Sequence, residues 1–155
     1  MADLQYVTYC GLHCGLCAQR GRIPRQAKAL RESMAKEEFE YWGGSIPGFR
    51  EFWIFLTDLS DPDKGCPGCR QGGGPDFCEI RKCARRRGIE LCPLCADYPC
   101  QIIRDLANVY PTLLADGKRI QEIGIERWIA GQEERARTGF AYADIRCRPS
   151  QNKEG

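Results

Sequence analysis

Within "YCGLHCGLC", residues 9 to 17, Cys10, Cys14 and Cys17 are separated by three and then two residues. Thiols so close in sequence do one of two things in a reducing setting: they hold a metal, or they do redox chemistry. Two cysteines with two residues between them let one tight turn present both sulfurs to a tetrahedral ion, the geometry of a zinc knuckle. The chain has three such pairs: Cys14/Cys17, Cys66/Cys69 in "CPGC" and Cys92/Cys95 in "CPLC". In the last two, a proline follows the first cysteine and stiffens the turn. Cys10, Cys78, Cys83 and Cys100 stand close by in sequence, so ten cysteines are candidate metal ligands and two zinc ions are the expected complement.

The spacing leaves the grouping open. A local arrangement puts Cys66, Cys69, Cys78 and Cys83 round one ion, with the N-terminal trio and Cys92, Cys95 and Cys100 supplying a second. In a crossed arrangement the two "CPxC" knuckles face each other. An iron–sulfur cluster is the alternative cofactor, since closely spaced thiolates accept either metal. The Cys10, Cys14, Cys17 interval is also that of the radical S-adenosylmethionine enzymes, but their chemistry needs a barrel of alternating strands and helices larger than this chain. His13, the only histidine, is expected to hydrogen-bond near the metal rather than ligate it, and Cys147 to be a buried or free thiol. With one histidine, no Gly-rich phosphate loop and no metalloprotease motif, the common His-dependent and phosphate-cradling active sites are missing.

The elements that position these thiols are expected to be helical, with no convincing strand. Residues 25–42 follow Pro24 and place Ala27, Leu30, Met34 and Tyr41 on one stripe. After Pro47, the residues Phe49, Phe52, Trp53 and Leu56 recur at i, i+3, i+4 and i+7, a core-facing helix. "CEIRKCARRRG" reads as a short basic helix stopped by Gly88. Pro99 opens another with Ile102, Ile103, Leu106 and Tyr110, and "IERWIAGQEERARTG" closes the series on Ile125, Trp128 and Ile129. The fold class is therefore mainly α: a small helical domain over residues 1–148 whose irregular cysteine-rich loops are stapled by metal, with a disordered tail at 149–155.

Composition sharpens that picture. Residues 61–96 hold only five large apolar side chains, Phe77, Ile80, Ile89, Leu91 and Leu94. So few cannot offset the roughly 1 to 2 kcal/mol of backbone entropy that each ordered residue costs, whereas structural zinc supplies about 10 to 16 kcal/mol in small metal modules. The formal charge of +2 points to no particular partner. Arg81, Lys82, Arg85, Arg86 and Arg87 form a basic run, read as compensation for anionic metal–thiolate sites in preference to a nucleic-acid patch, because no aromatic residues interleave for base stacking. A protein partner is expected, and neither nucleic acid nor membrane. Without a signal-like start or an apolar stretch of membrane-spanning length, the expected location is the cytoplasm.

Taken in order, "YCGLHCGLC", "CPGCR", "CEIRKCARRRGIELCPLCADYPC" and "GIERWIAGQEER" resemble the cysteine-rich prokaryotic proteins grouped as domain-of-unknown-function family 3795, over roughly residues 6–135. The resemblance implies a small, zinc-binding cytosolic protein with no assigned reaction. It carries Cys10, Cys14, Cys17, Cys66, Cys69, Cys78, Cys83, Cys92, Cys95 and Cys100 as matching positions. Many relatives have an acidic residue where His13 stands, and a further cysteine pair where this chain has only Cys147.

Overall fold

Helix α1 (Arg22–Lys36) begins two residues ahead of Pro24. Proline is harmless there, since first-turn amides have no intrahelical acceptor. The single helix expected over 25–42 is broken: Glu38 takes a left-handed φ of 59° and α2 (Phe39–Trp42) restarts at an angle. Aromatic packing explains the break. The Phe39 ring lies 4.2 Å from Trp42 and 6.1 Å from Phe49, and Trp42 Nε1 donates to the Glu37 carbonyl at 2.9 Å. Of the expected stripe only Ala27 is buried; Leu30 is exposed and Tyr41 is 91% exposed. Helix α3 (Phe49–Ser60) packs along α1. It buries Phe49 and Leu56, with Trp53 stacked on Phe49 at 5.6 Å, but it leaves Phe52 facing water. Together α1, α2 and α3 form an arm, and none of its side chains belongs to either of the main core clusters.

The computed structural model describes residues 3–148, and the tail expected to be disordered lies outside them. After the arm come α4 (Glu79–Arg87), α5 (Gln101–Ala107), α6 (Leu113–Ile123) and α7 (Ile125–Arg137). Gly88 stops α4 with φ +64°, as its position in the sequence predicts. Helix α6 was not expected, because Asp116 and Gly117 interrupt its apolar pattern. The glycine is there for packing: a Cβ at Gly117 would overlap the Tyr98 hydroxyl. No strand forms among the described residues, and the one isolated bridge pairs Val7 with His13.

The core gathers residues from both ends of the chain. Val7, Leu91, Ile120 and Trp128 form one cluster, and Cys10, Ile80, Ile103 and Leu113 another. Trp128 is fully buried, with Nε1 donating to Asp116 Oδ1 at 3.3 Å. Around this core the segment 61–96 runs mostly as loops and short turns. Only Ile80 and Leu91 of its five large apolar side chains are buried; Phe77 is 77% exposed and Leu94 also faces water.

Candidate metal centre

The "YCGLHCGLC" segment folds back on itself. Thr8 N donates to the Leu12 carbonyl at 2.9 Å, and the Thr8 hydroxyl accepts from Leu12 N and contacts Cys10 Sγ at 3.0 Å. Gly11 sits at the tip with φ +96°, where an added Cβ would meet Pro93 Cγ of the "CPLC" turn at 3.2 Å. Cys92 N then donates to the Tyr9 carbonyl at 2.7 Å, fastening the "CPLC" turn to the N-terminal loop. Gly11→Ala is expected to cost about 1 to 2 kcal/mol for the left-handed backbone alone, readable as a lower urea midpoint. An unchanged midpoint would show that the tip does not need its close approach to Pro93.

His13 is buried. Its Nδ1 accepts from Gly15 N at 3.2 Å, and its own amide donates to the Tyr142 hydroxyl at 3.0 Å. The imidazole therefore shapes the Cys14–Cys17 turn from beside the thiols, and burial holds its pKa below the ordinary value despite the opposing charge of Glu133.

All eleven cysteines are free thiols, and Cys147 is exposed rather than buried. Eight of them draw into two neighbourhoods, with Cys10 and Cys78 between. In the first, Cys14 accepts the Cys69 amide and lies beside Cys17 and Cys69, and Gly68 approaches its sulfur. Cys66 Sγ lies where a Cβ on Gly73 would come within 2.6 Å, so a residue larger than glycine would fill the space beside that sulfur. In the second, Cys92 lies among Cys10, Cys83, Cys95 and Cys100. Cys10 lies between the two, influenced on its other side by Cys69 and Cys78. The local grouping drawn from spacing is matched in part: Cys10 lies with Cys92, Cys95 and Cys100 as that grouping has them, whereas "CPGC" neighbours the N-terminal knuckle and Cys83 joins "CPLC". As the side chains stand, no three His, Cys, Asp or Glu donors among the described residues converge on one point for a metal ion.

Each neighbourhood has its own arginine. Arg20 donates to the Cys66 carbonyl, lies 4.5 Å over the Tyr6 ring and lowers the Cys14 pKa from the value that burial alone would set. Arg87 pairs with Asp97 at 2.7 Å and reaches Cys83 and Cys95. Further arginines pin the loops by their carbonyls. Arg70 donates to Val7 and Glu90, each at 2.7 Å, and lies over the Tyr9 ring. Arg81, a buried cation, donates to Gly73 at 2.5 Å, Pro75 at 2.8 Å and Cys69 at 3.3 Å.

The basic run is thus no single patch. Arg81 is turned inward, Lys82 pairs with Glu79, Arg85 lies near Tyr9 and Arg87 holds Asp97. Composition counts these charges but not their directions, so the carbonyl-binding roles of Arg20, Arg70 and Arg81 went unread. A shallow depression of about 450 Å³, lined by Ala35, Glu38, Glu40 and Tyr41, lies on the arm, and none of the ten cysteines borders it.

The model of the family described as "Protein of unknown function (DUF3795)" matches residues 6–105, about two thirds of the chain. The chain belongs to this family. The matched span of the DUF3795 chain holds all ten clustered cysteines, while α6, α7 and Cys147 lie beyond it. No curated protein and no solved structure matches the chain. No helix among the described residues is long and apolar enough to cross a membrane.

Burial pushes the DUF3795 thiols Cys10 and Cys92 from their ordinary 9.0 up to about 11 and about 12, helped at Cys92 by its thiol neighbours.

Proposed function

We propose that this DUF3795 protein is a protein-interaction module whose cysteine-rich layer is folded by structural zinc. Cys14, Cys17, Cys66 and Cys69 hold one ion, and Cys83, Cys92, Cys95 and Cys100 the other. Cys10 and Cys78 stand between the two sites. The observation that carries this proposal is the mismatch in the segment 61–96, which buries two large apolar side chains while bringing its thiols beside those of the N-terminal loop and of residues 92–100. The donor set fits zinc: free, adjacent sulfurs with an arginine at each neighbourhood to balance the roughly −2 charge of a four-thiolate zinc site. Zinc in such sites supplies folding energy and needs no further chemistry. Eleven free thiols fit a reducing compartment, the cytoplasm. The arm, exposed along α3, is the surface offered to the partner.

Protein purified anaerobically without added metal is expected to carry two zinc ions per chain by elemental analysis. Cys14→Ser and Cys92→Ser are each expected to lower the count by one. Brown protein containing iron, or a metal-free chain with unchanged folding, would overturn the proposal.

A further inference from the structure

Cys10 is left over when eight sulfurs are shared between two ions, yet it lies beside the second set. Cys92 N donates to the Tyr9 carbonyl at 2.7 Å, which draws the "CPLC" turn alongside Cys10. Cys92 packs against the buried cluster that contains Cys10, and it lies among Cys10, Cys83, Cys95 and Cys100. Five thiols thus gather where a tetrahedral ion takes four.

The surroundings of Cys10 suit a bound sulfur. Its Sγ lies 3.0 Å from the Thr8 hydroxyl. The Leu12 carbonyl already accepts from Thr8 N at 2.9 Å, so the hydroxyl proton is free to turn to the sulfur. Burial opposes ionisation of Cys10, whereas the Thr8 hydroxyl and the Leu12 amide favour it. Donors aimed at a sulfur stabilise the thiolate, the form that binds metal. Cys100 stands in the opposite situation. It precedes the first turn of α5 and is exposed, while Cys83, Cys92 and Cys95 are half-buried.

We propose that Cys10 and Cys100 are interchangeable fourth ligands of the second zinc ion, with Cys83, Cys92 and Cys95 as the fixed three. The proposal rests on the zinc reading above. The exchange conserves charge and protons: as Cys10 binds, its thiol proton passes to the departing Cys100 thiolate. One sulfur–metal bond forms, one breaks, and nothing is oxidised. The two states differ in what meets solvent. With Cys100 bound, Cys10 is a buried thiol; with Cys10 bound, Cys100 is a surface thiol open to a soft electrophile, and the metal is held in both.

Zinc counting on folded variants tests it, with circular dichroism in parallel. Cys100→Ala and Cys10→Ala are each expected to keep two zinc ions per chain, and the double variant only one. Loaded with cobalt instead, Cys100→Ala keeps the visible bands of a four-sulfur tetrahedral site. Limited iodoacetamide gives a second readout that needs no double variant. Alkylation at Cys100, located by peptide mass spectrometry, leaves two zinc ions on the wild type and one on Cys10→Ala. A wild type with two ions and a Cys100→Ala chain with one overturns the exchange and leaves the zinc reading standing. Zinc loss from the wild type on alkylation of Cys100 does the same. A double variant with two ions also overturns it, because another thiol such as Cys78 then completes the site. A wild type without zinc overturns the zinc reading and the exchange together.

Discussion

Stripping the metal with a strong chelator is expected to remove the cooperative unfolding transition of the whole cysteine-rich layer. A structural zinc ion in a small module supplies about 10 to 16 kcal/mol, and a domain of this size is stable by about 5 to 15 kcal/mol in total. Losing even one ion therefore removes as much as the fold has. The chain shows why nothing compensates: Ile80 and Leu91 are the only large apolar residues of 61–96 that reach the core. Trp128 is the natural probe, since it packs with Val7 and Leu91, the two residues that link the core to the thiol loops. With Trp42 and Trp53 replaced by Phe, the emission of Trp128 is expected to shift to the red on chelation and recover when zinc is returned. Helical signal remaining in the stripped protein belongs chiefly to α1 and α3, which bury against each other. A chelated, zinc-free protein with unchanged Trp128 emission and an unchanged melting curve would rule out metal as the source of order.

The second large effect is at Arg81. Its guanidinium serves the carbonyls of Cys69, Gly73 and Pro75 from inside the molecule, joining α4 to the loop after the "CPGC" turn. Arg81→Met keeps much of the side chain's length but strands those acceptors. Each buried acceptor left without a donor costs about 1 to 3 kcal/mol. The three together are expected to lower stability by about 3 to 5 kcal/mol, some of it recovered by water at the two half-buried positions. Arg81→Lys restores the charge but not the fork, so it is expected to recover less than half of the loss. If Lys restored full stability, the role of Arg81 would be its charge, as the sequence alone implied, and not its geometry. Zinc stoichiometry measured on both variants separates a loosened loop from a lost site.

Sequence pattern placed α3, α4 and α7 well because each has a strong local signal: the i, i+3, i+4, i+7 aromatics after Pro47, Gly88 behind a basic run, and Ile125, Trp128 and Ile129. It misplaced what tertiary contacts decide. Nothing between residues 25 and 42 announces that Trp42 will cap the Glu37 carbonyl and force Glu38 into a left-handed turn. Helix α6 was hidden because Gly117 argues against a helix until the Tyr98 ring is seen lying on it. The ten clustered cysteines were evident from spacing, but spacing is a one-dimensional quantity. Their neighbours are set by Cys92 N on Tyr9 O, by the Cys69 amide on Cys14 and by Arg20 on Cys66 O, contacts that span up to 83 residues of chain. The hydrogen bond by which His13 Nδ1 accepts from Gly15 N needs only local chain.

The hydrogen bond from the His13 amide to the Tyr142 hydroxyl joins residues 129 positions apart. During vectorial synthesis the first knuckle leaves the ribosome long before its clasp exists, so its thiols wait unclamped until residue 142 has emerged. Maturation of that loop is thus timed by Tyr142, and chains cut short before it are released with the loop unlatched.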